Sequence, residues 1–317
     1  MKKFVIKLIV FSILFLISYC VVSSVLVRKG NGYGTDVISF YKQDKNTLDL
    51  IFFGSSHSYS TFSPIVLEKE TGLKSYNFAT QQQPLWITYY YMKEALKYQK
   101  PKFFVLDVLM TSVNADYMDE GVNRDAIDKM RFSVNKINAI RASVKDFDDQ
   151  LSYYINLIKY HNRWNELQKL DITALIKAQD GDSRGFTYLS GNKEPAVKND
   201  LNAVRETTKI SEKNNLYLNK IISLAKENNI KLILVKTPCT TIEEQQKYYN
   251  YVKQIAQNNK LEFIDYNLLY DELNLDFVND FYDPGHLDGE AAERVTMHFA
   301  EYLKMRYNEK GELNETN

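Results

Sequence analysis

Hydrophobic and polar positions along the 317-residue chain fall into two regimes. The first is one unbroken apolar run, residues 8–27, which are 20 residues without a charge. Wound as a helix, such a run spans roughly 30 Å, about one bilayer hydrocarbon core. Lys2, Lys3 and Lys7 precede it and favour a cytoplasmic N-terminus; Arg28 and Lys29 follow it and weaken that bias. The sequence therefore predicts a single-pass anchor over residues 1–29, with residues 30–310 as an extracytoplasmic domain at the cell membrane and 311–317 as a polar tail. A cleaved signal peptide, with Val22 and Ser24 at its small-residue positions, is the alternative.

The second regime begins near residue 45, where short apolar runs alternate with stretches at helical spacing. Residues 48–53, 75–79, 102–108, 231–235 and 261–266 read as strands. Residues 64–71, 85–98, a face built on Leu216, Ile221, Ile222, Leu224 and Ala225, and residues 242–257 and 288–305 read as helices. Such alternation predicts an α/β fold with a five-stranded parallel sheet covered on both faces. In such sheets ligands bind beyond the C-terminal strand ends. Residues 115–200 do not alternate. Residues 119–171 are helix-rich and aromatic, with Leu151, Tyr154, Ile155 and Ile158 on one face, and 179–200 read as a long Gly/Pro-punctuated loop. This stretch is an insertion after the third strand, read either as a lid over the site or as a packing subdomain.

Composition narrows the chemistry. Acidic and basic residues balance at 40 each, so bulk charge does not draw the chain to nucleic acid. Cys20 and Cys239 are the two cysteines, too far apart in character to form a pair, and no spacing suggests a metal or a cofactor. A histidine mechanism has only His57, His161, His286 and His298 to draw on.

Two short segments carry the candidate chemistry. The first predicted strand stops at Gly54-Ser55-Ser56-His57, which presents a serine at a sheet edge. Near the other end, Asp283-Pro284-Gly285-His286 sets an aspartate three residues before a histidine, just ahead of the last helix. Brought together, Ser56, His286 and Asp283 would be nucleophile, general base and orienting carboxylate. Ser55 and Ser58 compete with Ser56, and Ser55 is read as shaping the turn. His57 follows the nucleophile and should point away from it, in a structural or substrate-edge role. His161 and Trp164 are candidates for substrate or lid contact, with plain packing as the alternative. Asp288 is read as a helix cap, and His298 as a helix-face residue.

These blocks resemble those of the SGNH (GDSL-type) hydrolases, over residues 48–112 and 230–305. The resemblance implies a flavodoxin-like three-layer fold with Ser56, His286 and Asp283 as catalytic residues. It also implies an oxyanion hole from the Ser56 N–H, a second N–H at Gln82, and a side-chain donor after the third strand. Gln82 stands where the family has glycine. The family asparagine is missing, with Thr111 its nearest positional match. The anchor and the insertion make the chain similar to the anchored branch that modifies cell envelopes, such as the D-alanyl transfer proteins of teichoic-acid biosynthesis. That branch implies an acyl donor, a glycan or teichoic-acid acceptor, and a multi-spanning membrane-bound O-acyltransferase as partner. An anchored esterase and a non-catalytic scaffold are the competing readings.

Overall fold

The computed structural model describes residues 1–28, 37–176 and 183–308. Five parallel strands form one sheet in the order β2-β1-β3-β4-β5: β1 Leu50–Phe53, β2 Ser75–Asn77, β3 Phe103–Asp107, β4 Lys231–Lys236 and β5 Glu262–Asp265. This 2-1-3-4-5 order is the flavodoxin-like, doubly wound arrangement; the parallel sheet is what the alternation of runs predicts and the flavodoxin-like form what the resemblance implies. β1, β2 and β3 are buried along their whole length. That is why β1 and β3 read as continuous apolar runs rather than alternating ones, whereas β2 is Ser75-Tyr76-Asn77. The strand period of two then splits them between two cores. Ile51, Phe53, Phe104, Leu106 and Leu232 face one layer of helices. Leu50, Phe52, Phe103, Val105 and Ile233 face the other.

The helices are α1 Lys2–Leu26, α2 Val37–Phe40, α3 Ser56–Thr61, α4 Pro64–Thr71, α5 Leu85–Ala95, α6 Glu120–Ile127, α7 Val134–Ser143, α8 Phe147–Tyr154, α9 Asn156–Tyr160, α10 Lys169–Ile176, α11 Glu212–Glu227, α12 Glu243–Asn258 and α13 Gly289–Leu303. Trp86 and Tyr91 of α5, Leu218 and Ile221 of α11, and Tyr249 and Val252 of α12 fill the first core. Leu67 of α4 and Val295 and Phe299 of α13 fill the second. Each such side chain, fully buried, contributes roughly 1.5–3 kcal/mol. α4 shows how local chemistry sets an element: Ser63 caps it, Pro64 occupies the first turn, and Gly72 ends it at φ +76°.

Inside the insertion the sequence reading needs correction. The continuous face through Leu151, Tyr154, Ile155 and Ile158 is broken, because α8 ends at Tyr154 and Ile155 is non-helical (φ −121°, ψ 84°). The insertion also divides into two unlike parts. α6–α10 pack beside α5 through α7. Residues 183–200 run extended across the sheet edge: Asn77 N–H donates to Arg184 O at 2.9 Å, Thr187 N–H to Tyr59 O at 2.8 Å, and Gly289 N–H to Leu189 O at 2.8 Å. The junction at Gly181, the boundary at residue 30 and the tail at 311–317 lie outside the described residues.

α1 is the one helix long and apolar enough to cross a membrane among the described residues, with a mean hydropathy of 2.6. Most of it is exposed, but Ser23, Leu26 and Val27 at its C-terminal end are buried. Leu26 and Val27 pack with Leu157 and Tyr160 of α9, and Arg163 Nη1 donates to Leu26 O at 2.6 Å.

Candidate active site

Ser56 stands at the first position of α3, directly beyond the C-terminal end of β1. Gly54 makes that turn possible. Its φ is +140°, and a Cβ there would lie 2.8 Å from Asp107 Cβ, so a side chain is excluded both by conformation and by space. α3 is fixed by the side chain of Asn77, whose Nδ2 donates to Ser58 O at 2.8 Å and Phe62 O at 3.2 Å. The competing serines stand differently. Ser58 Oγ donates to Asn77 Oδ1 at 3.2 Å, and Ser55 is fully buried at the helix start, its Oγ without a hydrogen-bond partner among the described residues.

Asp283 and His286 sit on a short antiparallel hairpin, β6 Phe281–Asp283 and β7 His286–Leu287, turned through Pro284-Gly285. Asp283 Oδ1 accepts from the N–H groups of Gly285 at 2.8 Å and His286 at 2.9 Å. The same carboxylate meets His286 Nδ1 at 2.9 and 3.0 Å. His286 Nε2 lies 2.8 Å from Ser56 Oγ. A carboxylate can only accept, so Nδ1 carries the proton and Nε2 presents its lone pair to the Ser56 hydroxyl. Asp288, as expected, caps α13: its Oδ1 accepts from Ala291 N at 2.9 Å.

The remaining candidates divide. The Ser56 N–H opens α3 and has no acceptor within the helix, so it is available to an oxyanion. Gln82 takes a left-handed φ of +46°, the conformation glycine favours. Its neighbour Gln81 reaches the cavity described below, whereas Gln82 does not line it. Thr111 is not a free donor: its hydroxyl donates to Val108 O at 2.7 Å within a tight 3-10 turn, which commits its only proton. His57, expected in a structural or substrate-edge role, is buried and does not line the cavity described below, its ring 4.6 Å from that of His286. Burial, reinforced by His286 and Lys236, pushes the His57 pKa well below the ordinary value, so the ring is neutral. His161 is exposed, with Nδ1 3.2 Å from Ile158 O, and Trp164 is 70% exposed. Neither lines the cavity.

Beneath the serine turn lies a buried polar layer that the sequence reading did not single out. Asp107, at the end of β3, accepts from Thr237 N–H at 3.2 Å, Thr237 Oγ1 at 2.9 Å and Leu109 N–H at 3.1 Å. Burial raises its pKa against the pull of Lys236 and these hydrogen bonds. Lys236 Nζ donates to Thr237 O at 2.6 Å and approaches Cys239 Sγ at 3.2 Å. Burial opposes its charge, but Cys239, Tyr249, Asp107 and Asp265 outweigh that and hold its pKa above the ordinary value. Asp107 therefore ties the loops after β3 and β4 together under Gly54.

Ser56 and His286 open onto a cavity of about 660 Å³, whose far wall includes Arg28, Arg124, Lys159 and Tyr160. Arg124 organises that wall. It reaches Glu120 at 3.2 Å and Asp128 at 3.5 Å, donates to Ser152 O at 2.9 Å, and lies 3.5 Å above the Tyr153 ring. Tyr160 OH donates to Asp128 at 2.6 Å, and Lys159 pairs with Glu120 at 2.7 Å. The only sequence signal for this wall is the i,i+4 spacing of Glu120, Arg124 and Asp128. Such spacing is common on solvated helices.

A family model described as a protein of unknown function, DUF1574, matches residues 34–301. No curated protein matches the sequence significantly. Among solved structures, the fold is similar to a protein described as a putative lipolytic protein of the G-D-S-L family from Desulfitobacterium hafniense DCB-2. That match has 11% identity, a TM-score of 0.41, and coverage of 81% of this chain and 99% of the other. It is also similar to an acetyl xylan esterase from the rumen bacterium Butyrivibrio proteoclasticus, at 9% identity, a TM-score of 0.33, and coverage of 84% and 65%.

Proposed function

We infer the function of this chain, which belongs to the DUF1574 family of proteins of unknown function, from the chemistry its sheet edge can perform. The reading is a membrane-anchored, extracytoplasmic serine acyltransferase working through an acyl-Ser56 intermediate. The observation that carries it is the continuous relay from Asp283 through His286 to Ser56, at 2.9 and 2.8 Å. In this reading His286 Nε2 takes the Ser56 proton as Oγ attacks an acyl carbonyl. The oxyanion rests on the Ser56 N–H and on an amide of the loop that carries Gln82. His286 returns the proton to the departing group, Asp283 steadying the imidazolium, and an acceptor hydroxyl is then deprotonated by the same nitrogen and takes the acyl group. The acceptor is a polyol or glycan of the cell envelope, teichoic acid included. The donor is delivered at the membrane, for which a multi-spanning O-acyltransferase is the natural partner.

Transfer is favoured over hydrolysis by one feature: Arg28, the residue just past the apolar helix, shares the cavity with Ser56. An esterase of soluble substrates gains nothing from a site built against its own anchor. The burial of Ser23, Leu26 and Val27 likewise favours an uncleaved anchor. Labelling with a serine-reactive fluorophosphonate tests the nucleophile: the intact chain should be labelled, and Ser56→Ala should not. Acylation of the envelope polymer tests direction. A Ser56→Ala strain should have under-acylated polymer, whereas more acylated polymer than in the parent means an esterase. Unchanged acylation with no labelling of the parent means a scaffold.

A further inference from the structure

Around the C-terminal end of α1 the insertion exposes a set of large apolar side chains that no other part of the described chain covers. Ile158 of α9, Trp164 of the 3-10 turn His161–Asn165 and Ile172 of α10 are 50%, 70% and 54% exposed. α9, this turn and α10 are the elements of the insertion that pack on α1. Scattered surface hydrophobes need no explanation, but three on the very elements that pack against an apolar helix do.

Their level relative to a membrane follows from α1 itself. The apolar run ends at Val27 and the next residue is Arg28, which pairs with Glu166 at 3.0 Å. That ion pair marks the hydrocarbon boundary. Ser23 is nonetheless buried, and it lies five residues before Arg28, about 7.5 Å further into the membrane at 1.5 Å per residue. The elements that bury Ser23 and Leu26 therefore reach past the boundary, and their outward side chains stand at the same depth. Arg163 supports this placement. It donates to Leu26 O at 2.6 Å and pairs with the buried Asp171 at 2.6 Å, so its own charge is turned inward and neutralised. Trp164, 70% exposed, supplies the aromatic that an interfacial segment places in the headgroup layer.

We propose that residues 155–172 form a collar that sinks into the outer leaflet around α1, with Ile158, Trp164 and Ile172 in contact with lipid. The proposal rests on the anchor reading above. The collar would hold the domain in one orientation and set the cavity mouth at headgroup level. A lipid-borne acyl group could then reach Ser56 without crossing water.

Tryptophan fluorescence tests this directly, because the chain has two tryptophans and Trp86 is buried in the core at 1% exposure. The full-length protein is reconstituted into phosphatidylcholine–phosphatidylglycerol vesicles carrying lipid brominated near the glycerol end of the acyl chain. Bromolipid should quench the parent chain roughly twofold more than Trp164→Phe, and aqueous acrylamide should quench them alike. If acrylamide rather than bromolipid selects Trp164 while the chain resists alkaline carbonate extraction, the collar is overturned and the anchor stands. If carbonate extracts the chain, both fall. If Trp164 is open to acrylamide in pure lipid but shielded in native membranes, the patch meets a protein partner and the lipid collar is wrong.

Discussion

One wall of the cavity is made by backbone geometry, the other by side-chain pairing. On the sheet side, Gly54, the start of α3 and the Asp283–His286 hairpin fix three functional atoms through turns only a few residues long. On the insertion side, Arg28, Arg124, Lys159 and Tyr160 come from three elements up to 132 residues apart. Arg124, Lys159 and Tyr160 are held by an ion-pair and aromatic network around Arg124, and Arg28 by its ion pair with Glu166. The first wall needs particular residues at particular spacings. The second can be assembled from many sequences, provided the charges cancel. We read the first as the site of bond making and the second as the determinant of what reaches it.

That contrast can be broken most decisively at the nucleophile. Ser56→Ala or His286→Ala should lower acyl turnover by roughly 10⁴–10⁶-fold while thermal unfolding stays near the parent's. Retained turnover would move the chemistry elsewhere. Asp283→Asn should cost roughly 10³–10⁴-fold in kcat, because an amide no longer enforces the Nδ1–H tautomer. A loss confined to KM would assign Asp283 to the loop rather than to the base.

The opposite wall should respond in stability and binding rather than in chemistry. Tyr160→Phe removes a donor from the buried Asp128 and should lower unfolding free energy by about 1–3 kcal/mol, with fluorophosphonate labelling of Ser56 intact. If labelling fails as well, the two walls are not separable. The smallest effect is on pH dependence. His57 is held neutral in the folded chain, whereas the unfolded chain takes up that proton below pH about 6.5. Stability is thus lost as pH falls through that value, by up to ~1.4 kcal/mol per pH unit. His57→Gln should flatten that slope between pH 7 and pH 5.5 in denaturant titrations; parallel curves would show that the ring titrates normally.

The same division explains what the sequence reveals. β1 is legible because burial on both faces makes it wholly apolar, and the turn after it is legible because Gly54-Ser55-Ser56 has few other uses. The pairing of Ser56 with His286, 230 residues apart, is legible only through the parallel sheet that the strand–helix alternation predicts and the family resemblance of the two end blocks. The far wall is hidden because Arg124 and Lys159 look like any charged helix residue until Glu120 and Asp128 are placed around them. Thr111 misleads for a related reason: its position suggests a donor, but the 3-10 turn folds its hydroxyl back onto Val108. His57 reads as pointing away from the nucleophile, but the first turn of α3 brings its ring within 4.6 Å of that of His286.

The burial of Leu26 and Val27 against Leu157 and Tyr160 makes the last turn of the apolar helix a piece of the domain's own core. Proteolytic release from the membrane would therefore act as an off-switch. A chain shed by a cut just after Arg28 would lose Arg28 from its cavity, expose Tyr160 to water and loosen the wall that Arg124 assembles, even with Ser56, His286 and Asp283 untouched.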